Sequence, residues 1–258
     1  MLATKSGIST PSTEDLLSIY VRFLAEHGQR YIEQTYLETD IDSPTFSMAA
    51  IFDPSNPASP LAYDASQTAL LLMDFQGLTI SRCGPPGQAA LQTAAAMRKW
   101  ALKHQIMVVH SVVDVNSTPP PICKGAERIS KMLAEAAQDK SAAEEPTEIA
   151  FSQSNRGEYI VLKQPGFISA LKSTGGMELL KEHGIRSLIL CGLSTSGAVL
   201  RTAMPATDEG FVVSVIEDGC GDPNEGLHET LMRSVLPSRA HVATMEEFVG
   251  EWKRFGKE

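Results

Sequence analysis

Residues 187–203 read Ser187-Leu188-Ile189-Leu190-Cys191-Gly192-Leu193-Ser194-Thr195-Ser196-Gly197-Ala198-Val199-Leu200-Arg201-Thr202-Ala203. The first five residues form a short, nearly continuous apolar run, which predicts a strand buried on both faces. Gly192 to Gly197 is rich in glycine and hydroxyl residues and reads as a turn, and a helix is expected over 196–209. Pro205 falls inside that helix and is expected to kink or shorten it.

The same alternation recurs outward in both directions. Strands are expected at 69–73, ending at Asp74, and at 106–109, ending at His110-Ser111. Others are expected at 159–162, ending at Lys163, at 211–216, ending at Glu217-Asp218, and at 240–243. Helical periodicity marks 86–104, 125–137, 175–184, 224–235 and 245–254, while the polar stretch 138–157 reads as a surface loop. Gly84-Pro85-Pro86-Gly87 lacks the lysine and the glycine spacing of a phosphate loop and reads as a turn before a helix. Buried strands separated by helices imply an α/β fold, a three-layer α/β/α sandwich with a mostly parallel, Rossmann-like sheet. In such folds the working site lies beyond the carboxyl ends of the strands. Asp74, Lys163 and the turn before Ala198 all fall there, although they are far apart in sequence.

Residues 1–66 read as an N-terminal helical extension and arm, and 67–258 as the main domain. Leu16, Leu17, Tyr20, Phe23 and Leu24 recur at helical spacing behind the cap Ser12-Thr13, and residues 40–66 are rich in Pro, Ser and Asp. An amphipathic helix outside the main domain needs a cover, either its own core or another subunit, so a homo-oligomer is expected.

The 258 residues carry a formal net charge of −9, which argues against nucleic acid or an anionic membrane as the principal partner. No apolar run approaches the roughly 20 residues of a spanning helix, and no signal peptide is apparent, so a cytoplasmic location is expected. The four cysteines, Cys83, Cys123, Cys191 and Cys220, lack disulfide or zinc spacing and read as reduced thiols. The histidines form no cluster, and Asp53-Pro54-Ser55 and Asp114-Val115-Asn116 lack an Asp-x-His spacing. No metal or other cofactor is therefore expected; a small-molecule substrate is.

Four motifs stand in order. They are Met73-Asp74-Phe75-Gln76; Leu162-Lys163 followed by Phe167; Gly192-Leu193-Ser194-Thr195 followed by Val199, Thr202 and Ala203; and Ile216-Glu217-Asp218-Gly219. Together they resemble the isochorismatase-like cysteine hydrolases over residues 68–245. The resemblance implies Asp74 as general base, Lys163 as its charged neighbour and a nucleophilic Cys at position 198, acting on the C–N bond of a small amide. It also implies a cis peptide between Leu193 and Ser194, with the N–H groups of Ser194 and Ala198 facing the oxyanion. Position 198, however, is Ala. Only a thiolate attacks well, and an alanine methyl neither ionises nor attacks. Three readings follow: an inactivated amidohydrolase, a Cys-independent isochorismatase cleaving a vinyl ether with the Asp in proton transfer, or a pseudoenzyme that binds a ligand or partner. A true isochorismatase of this kind usually has Gly rather than Ala at that position.

Other residues are weighed against structural roles. An acid directly after five apolar residues is costly to bury alone, which points to function for Asp74. Gln76 either orients the site or bonds backbone. Phe75, Leu78, Phe167 and Leu193 are candidates for the pocket wall, and His110 at a strand end is a further candidate, although a lone His is more often structural. Ser194, Thr195 and Ser196 read as turn and cap residues rather than substitute nucleophiles. No charge pattern in the sequence names the substrate.

Overall fold

The computed structural model describes residues 52–256, which lie in one compact unit. The expected helix behind Ser12-Thr13 and residues 40–51 of the arm fall outside the described residues. A six-stranded, wholly parallel sheet forms the centre, with strand order β3-β2-β1-β4-β5-β6. The strands are β1 (Thr68–Met73), β2 (Met107–Val113), β3 (Glu158–Lys163), β4 (Ser187–Leu193), β5 (Val212–Gly221) and β6 (His241–Ala243). All of β1 and β4 is buried, as expected for central strands covered on both faces. The strand order reverses between β1 and β4, and the crevice beyond their carboxyl ends is where such sheets hold ligands.

The crossovers are α1 (Gly77–Cys83) and α2 (Pro85–Lys103), α3 (Ala126–Ala136) with the single turn α4 (Lys140–Ala143), α5 (Gly176–Glu182), α6 (Leu200–Asp208) and α7 (Glu225–Thr230), and α8 (Met245–Arg254) follows the last strand. Gly84, at φ 64°, separates α1 from α2, and the two prolines that follow occupy the first turn of α2, where no N–H is missed. Pro205 lies inside α6, which still runs to Asp208. A Thr244/Glu247 capping box starts α8, placed where the periodicity put it.

Several boundaries differ from the sequence reading. Strand β2 continues to Val113, so His110 and Ser111 sit within it rather than at its end. A polar ring is tolerated there because both nitrogens of His110 find carboxylates. Strand β5 runs on through Glu217 and Asp218 to Gly221. Residues 138–157 are not simply a surface loop: they include α4, and Ile149 is fully buried. The N-terminal part of the domain begins before Thr68. Phe52 is buried, its ring 6.0 Å from that of Phe248 on α8, and His241 Nε2 lies 2.8 Å from the carbonyl oxygen of Ala58. Residues 52–66, read as the end of the arm, therefore pack on β6 and α8.

Candidate active site

Strand β1 pairs with β2 and β4 at one level: Met73 lies opposite Ser111 on one side and Gly192 on the other. A side chain at 192 would meet Met73 Cβ at 2.9 Å, so only glycine permits this approach. Pairing ends at Asp74, which adopts φ 59°, a left-handed conformation that Asp tolerates better than most residues. Its N–H donates to the carbonyl of Ser111 (2.9 Å). Lys163 ends β3 opposite Val113, and the topology swings its side chain to the same edge. Lys163 Nζ donates to Asp74 Oδ2 at 2.6 Å and to the carbonyl of Ile168 at 3.0 Å.

Lys163 is 1% exposed and Asp74 8%. Burial pushes the Asp74 carboxyl above its ordinary value, against the pull of the Lys163 ammonium. Its second oxygen, Oδ1, is buried with no hydrogen-bond partner among the described residues. A carboxylate atom left open beside a charge-paired one is placed to accept or return a proton.

The turn after β4 opens with a cis peptide between Leu193 and Ser194. A wide, π-type turn, Thr195–Val199, follows and runs into α6. Ala198 lies within it, 2% exposed, in the same buried apolar cluster as Met73, Ala170 and Val199. The turn is fastened from the far side of β5: Ser196 N–H and Oγ–H both donate to Asp222 Oδ2 (2.9 and 2.6 Å), and Thr195 Oγ1 bonds His228 Nδ1 at 2.8 Å. These bonds account for Thr195 and Ser196 as turn residues. Cys191 and Cys220 are buried in the sheet; burial pushes the Cys191 thiol well up and that of Cys220 to about 12, so neither supplies a thiolate.

A cavity of about 360 Å³ adjoins the Asp74–Lys163 pair. Gln76, two residues past Asp74, and Ile168, whose carbonyl holds Lys163, both line it, together with Leu78 and Phe167. Asp74, Lys163 and Ala198 are not themselves among the residues that line it. Gln76 does what the sequence left undivided. Its Nε2 donates to the carbonyls of Val113 (3.0 Å) and Ala143 (2.7 Å), and its Oε1 accepts from Val113 N–H (2.8 Å), while the side chain faces the cavity.

Three pocket candidates are placed elsewhere. Leu193 is the last residue of β4, 1% exposed, and does not line the cavity. Phe75 is fully buried and does not line the cavity, because the turn at Asp74 sends the next side chain into the core. His110 is likewise fully buried and faces Glu145 and Glu158, not the cavity. Conversely, Lys124 and Arg128 line the cavity and are its two charged side chains; neither forms an ion pair among the described residues. They fall around the start of a helix that reads as solvent-facing, and only the fold of the 115–130 segment over α1 reveals their position.

The chain belongs to the isochorismatase family: the Isochorismatase domain model matches residues 68–247. Among curated proteins it is similar to maleamate amidohydrolase of Pseudomonas putida, 28% identical over 186 residues that cover 69% of this chain and 84% of that one. Its fold is similar to that of nicotinamidase from Bacillus subtilis (TM-score 0.57, 19% identity, covering 69% of this chain and 99% of that one). It is also similar to that of N-carbamoylsarcosine amidase from Thermoplasma acidophilum (TM-score 0.55, 19% identity, 69% and 96%). Among the described residues no helix is long and apolar enough to cross a membrane.

Proposed function

We propose that this chain is a member of its family without a nucleophilic thiol at position 198, whose site binds small amides bearing an acidic group, without acyl-thioester turnover. The observation that carries this reading is the buried Asp74–Lys163 pair with one carboxylate oxygen open, at the edge where β4 delivers Ala198. In a thiol enzyme of this design, Asp74 takes the proton of a Cys at 198, and the thiolate attacks the amide carbonyl. The N–H groups of Ser194 and Ala198 then face the oxyanion, Asp74 returns the proton to the departing amine, and water hydrolyses the thioester. Ala198 removes the first step and leaves the rest of the site standing. The amide preference is supported by the likeness to maleamate amidohydrolase. Lys124 and Arg128 at an otherwise largely apolar cavity suit a carboxylate at the other end of the ligand.

The test is the Ala198→Cys variant, incubated with maleamate and a panel of related monoamides and followed by intact mass. A covalent acyl adduct on residue 198 is expected. No adduct across the panel, with isochorismate cleaved by the chain as it stands, would favour the second reading. One observation speaks for that alternative: burial raises the Asp74 carboxyl, which favours a protonated acid able to donate to a vinyl ether.

A further inference from the structure

The imidazole of His110 is fully buried, yet both of its nitrogens meet carboxylates: Nδ1 lies 2.9 Å from Glu145 and Nε2 lies 2.8 Å from Glu158. A neutral imidazole has one N–H and donates once. Two ionised carboxylates on opposite sides therefore require the doubly protonated ring. The charges balance, since Arg98 from α2 binds Glu158 through both Nε and Nη2. Two cations and two anions thus form a closed set among α2, β2, β3 and the segment 143–151. Asn155 also donates to Glu158, and the edge of the Phe151 ring packs on His110.

Glu145 is the member that belongs to the segment rather than the sheet. Besides His110 it accepts from Phe151 N–H (3.2 Å), which folds 145–151 on itself. Immediately before it, the carbonyl of Glu144 accepts from Gly77 N–H (3.0 Å), and that of Ala143 accepts from Gln76 Nε2 (2.7 Å). Gln76 and Ala142 are walls of the cavity beside Asp74. A path of hydrogen bonds joined by the peptide links from Glu145 to Ala143 thus runs from a buried titratable ring to Gln76, whose other two bonds go to Val113 on β2.

We propose that His110 and Glu145 are positioning residues: the protonated imidazole clips residues 143–151 to the sheet and through them fixes Gln76, so that this cavity wall loosens when the ring loses its proton. Burial works against the charged ring, but hydrogen bonds and the charges of Glu145 and Glu158 prevail and raise its pKa above the ordinary 6.5. A cation with a raised folded-state value keeps its stabilisation below 6.5 and loses it as pH rises through that higher value. The clip is therefore closed below that raised value and opens as pH climbs through it. This inference does not depend on the proposed chemistry, because its readouts need no substrate.

The experiment is NMR of the full chain between about pH 5 and 9.5, following the His110 ring protons and the Gln76 side-chain amide, with hydrogen exchange of residues 147–151. The Gln76 amide is expected to shift with the midpoint of His110, although the two side chains share no hydrogen bond. Intrinsic-rate-corrected protection of 147–151 is expected to fall about tenfold or more across it. In Glu145→Gln the ring still titrates but Gln76 no longer follows. A His110 ring that is neutral at about pH 6, or a Gln76 amide that stays fixed through its titration, would overturn the proposal on the unmodified protein alone. Retained coupling in Glu145→Gln would overturn the path through Glu145.

Discussion

Lys163 Nζ and Asp74 Oδ2 are 2.6 Å apart although 89 residues separate them in the chain, and Lys163 is almost wholly excluded from solvent. A buried ion pair is weak evidence for stability, but removing one partner strands the other. The carboxylate of Asp74 already carries a raised pKa, so its response to losing Lys163 depends on pH.

Replacing Lys163 by Met is expected to cost about 3–5 kcal/mol at pH 8, where Asp74 would be left as an uncompensated anion. The cost shrinks as pH falls toward 5, because protonation removes the charge and the folded state takes up that proton more readily than the unfolded chain. Urea unfolding at both pH values measures this. An equal loss at the two would show that Asp74 is not the stranded charge.

Asp222 holds the turn of Ala198 through Ser196 N–H and Oγ–H and also accepts from Asn224 N–H at 3.1 Å. Burial alone would raise its carboxyl, but these hydrogen bonds outweigh it and lower the pKa. Asp222→Ala is expected to destabilise the domain by about 2–3 kcal/mol, as charge-assisted bonds to partly buried donors are lost. In the background of Ala198→Cys it should also slow acyl-adduct formation; unchanged adduct kinetics would show that the turn keeps its shape without this carboxylate.

Acid should unfold the protein partly through Glu158. Burial alone would raise its carboxyl, but hydrogen bonds from His110, Arg98 and Asn155 bring it down to about 2, from 4.5. An acid depressed in the folded state contributes stability above its unfolded value and loses it as pH falls through the folded one. The window runs from pH 4.5 to about 2, and at about 1.4 kcal/mol per unit the loss has a ceiling of about 3–4 kcal/mol, reduced by solvent screening. Glu158→Gln is expected to be less stable at neutral pH and flatter through that window, measured as denaturant midpoint against pH.

Thiol labelling should distinguish the cysteines. Cys83, Cys191 and Cys220 are buried, and burial pushes the Cys83 thiol to about 11. Cys123 is partly exposed and lines the cavity near Phe167. Native alkylation followed by peptide mass analysis is expected to modify Cys123 first, with a bound ligand protecting it. Rapid labelling of Cys191 would mean that the sheet opens locally.

The sequence by itself determined the parallel α/β sheet, because unbroken apolar runs such as Leu188–Leu190 are stable only where helices cover both faces. It also brought Asp74, Lys163 and the 193–198 turn to one edge, since parallel crossovers return every strand end to the same side. Neither conclusion needs a long-range contact beyond strand pairing. The roles of His110, Gln76 and residues 138–157 did need one. A polar residue inside an apolar strand reads as a strand end until a partner is found, and the partners of His110 lie 35 and 48 residues further along the chain. An acidic stretch reads as solvated until Glu145 is seen to close a buried charge set. Lys124 and Arg128 share that fate: whether a cation faces solvent or a ligand cavity depends on which surface folds over it, and local periodicity carries no record of that.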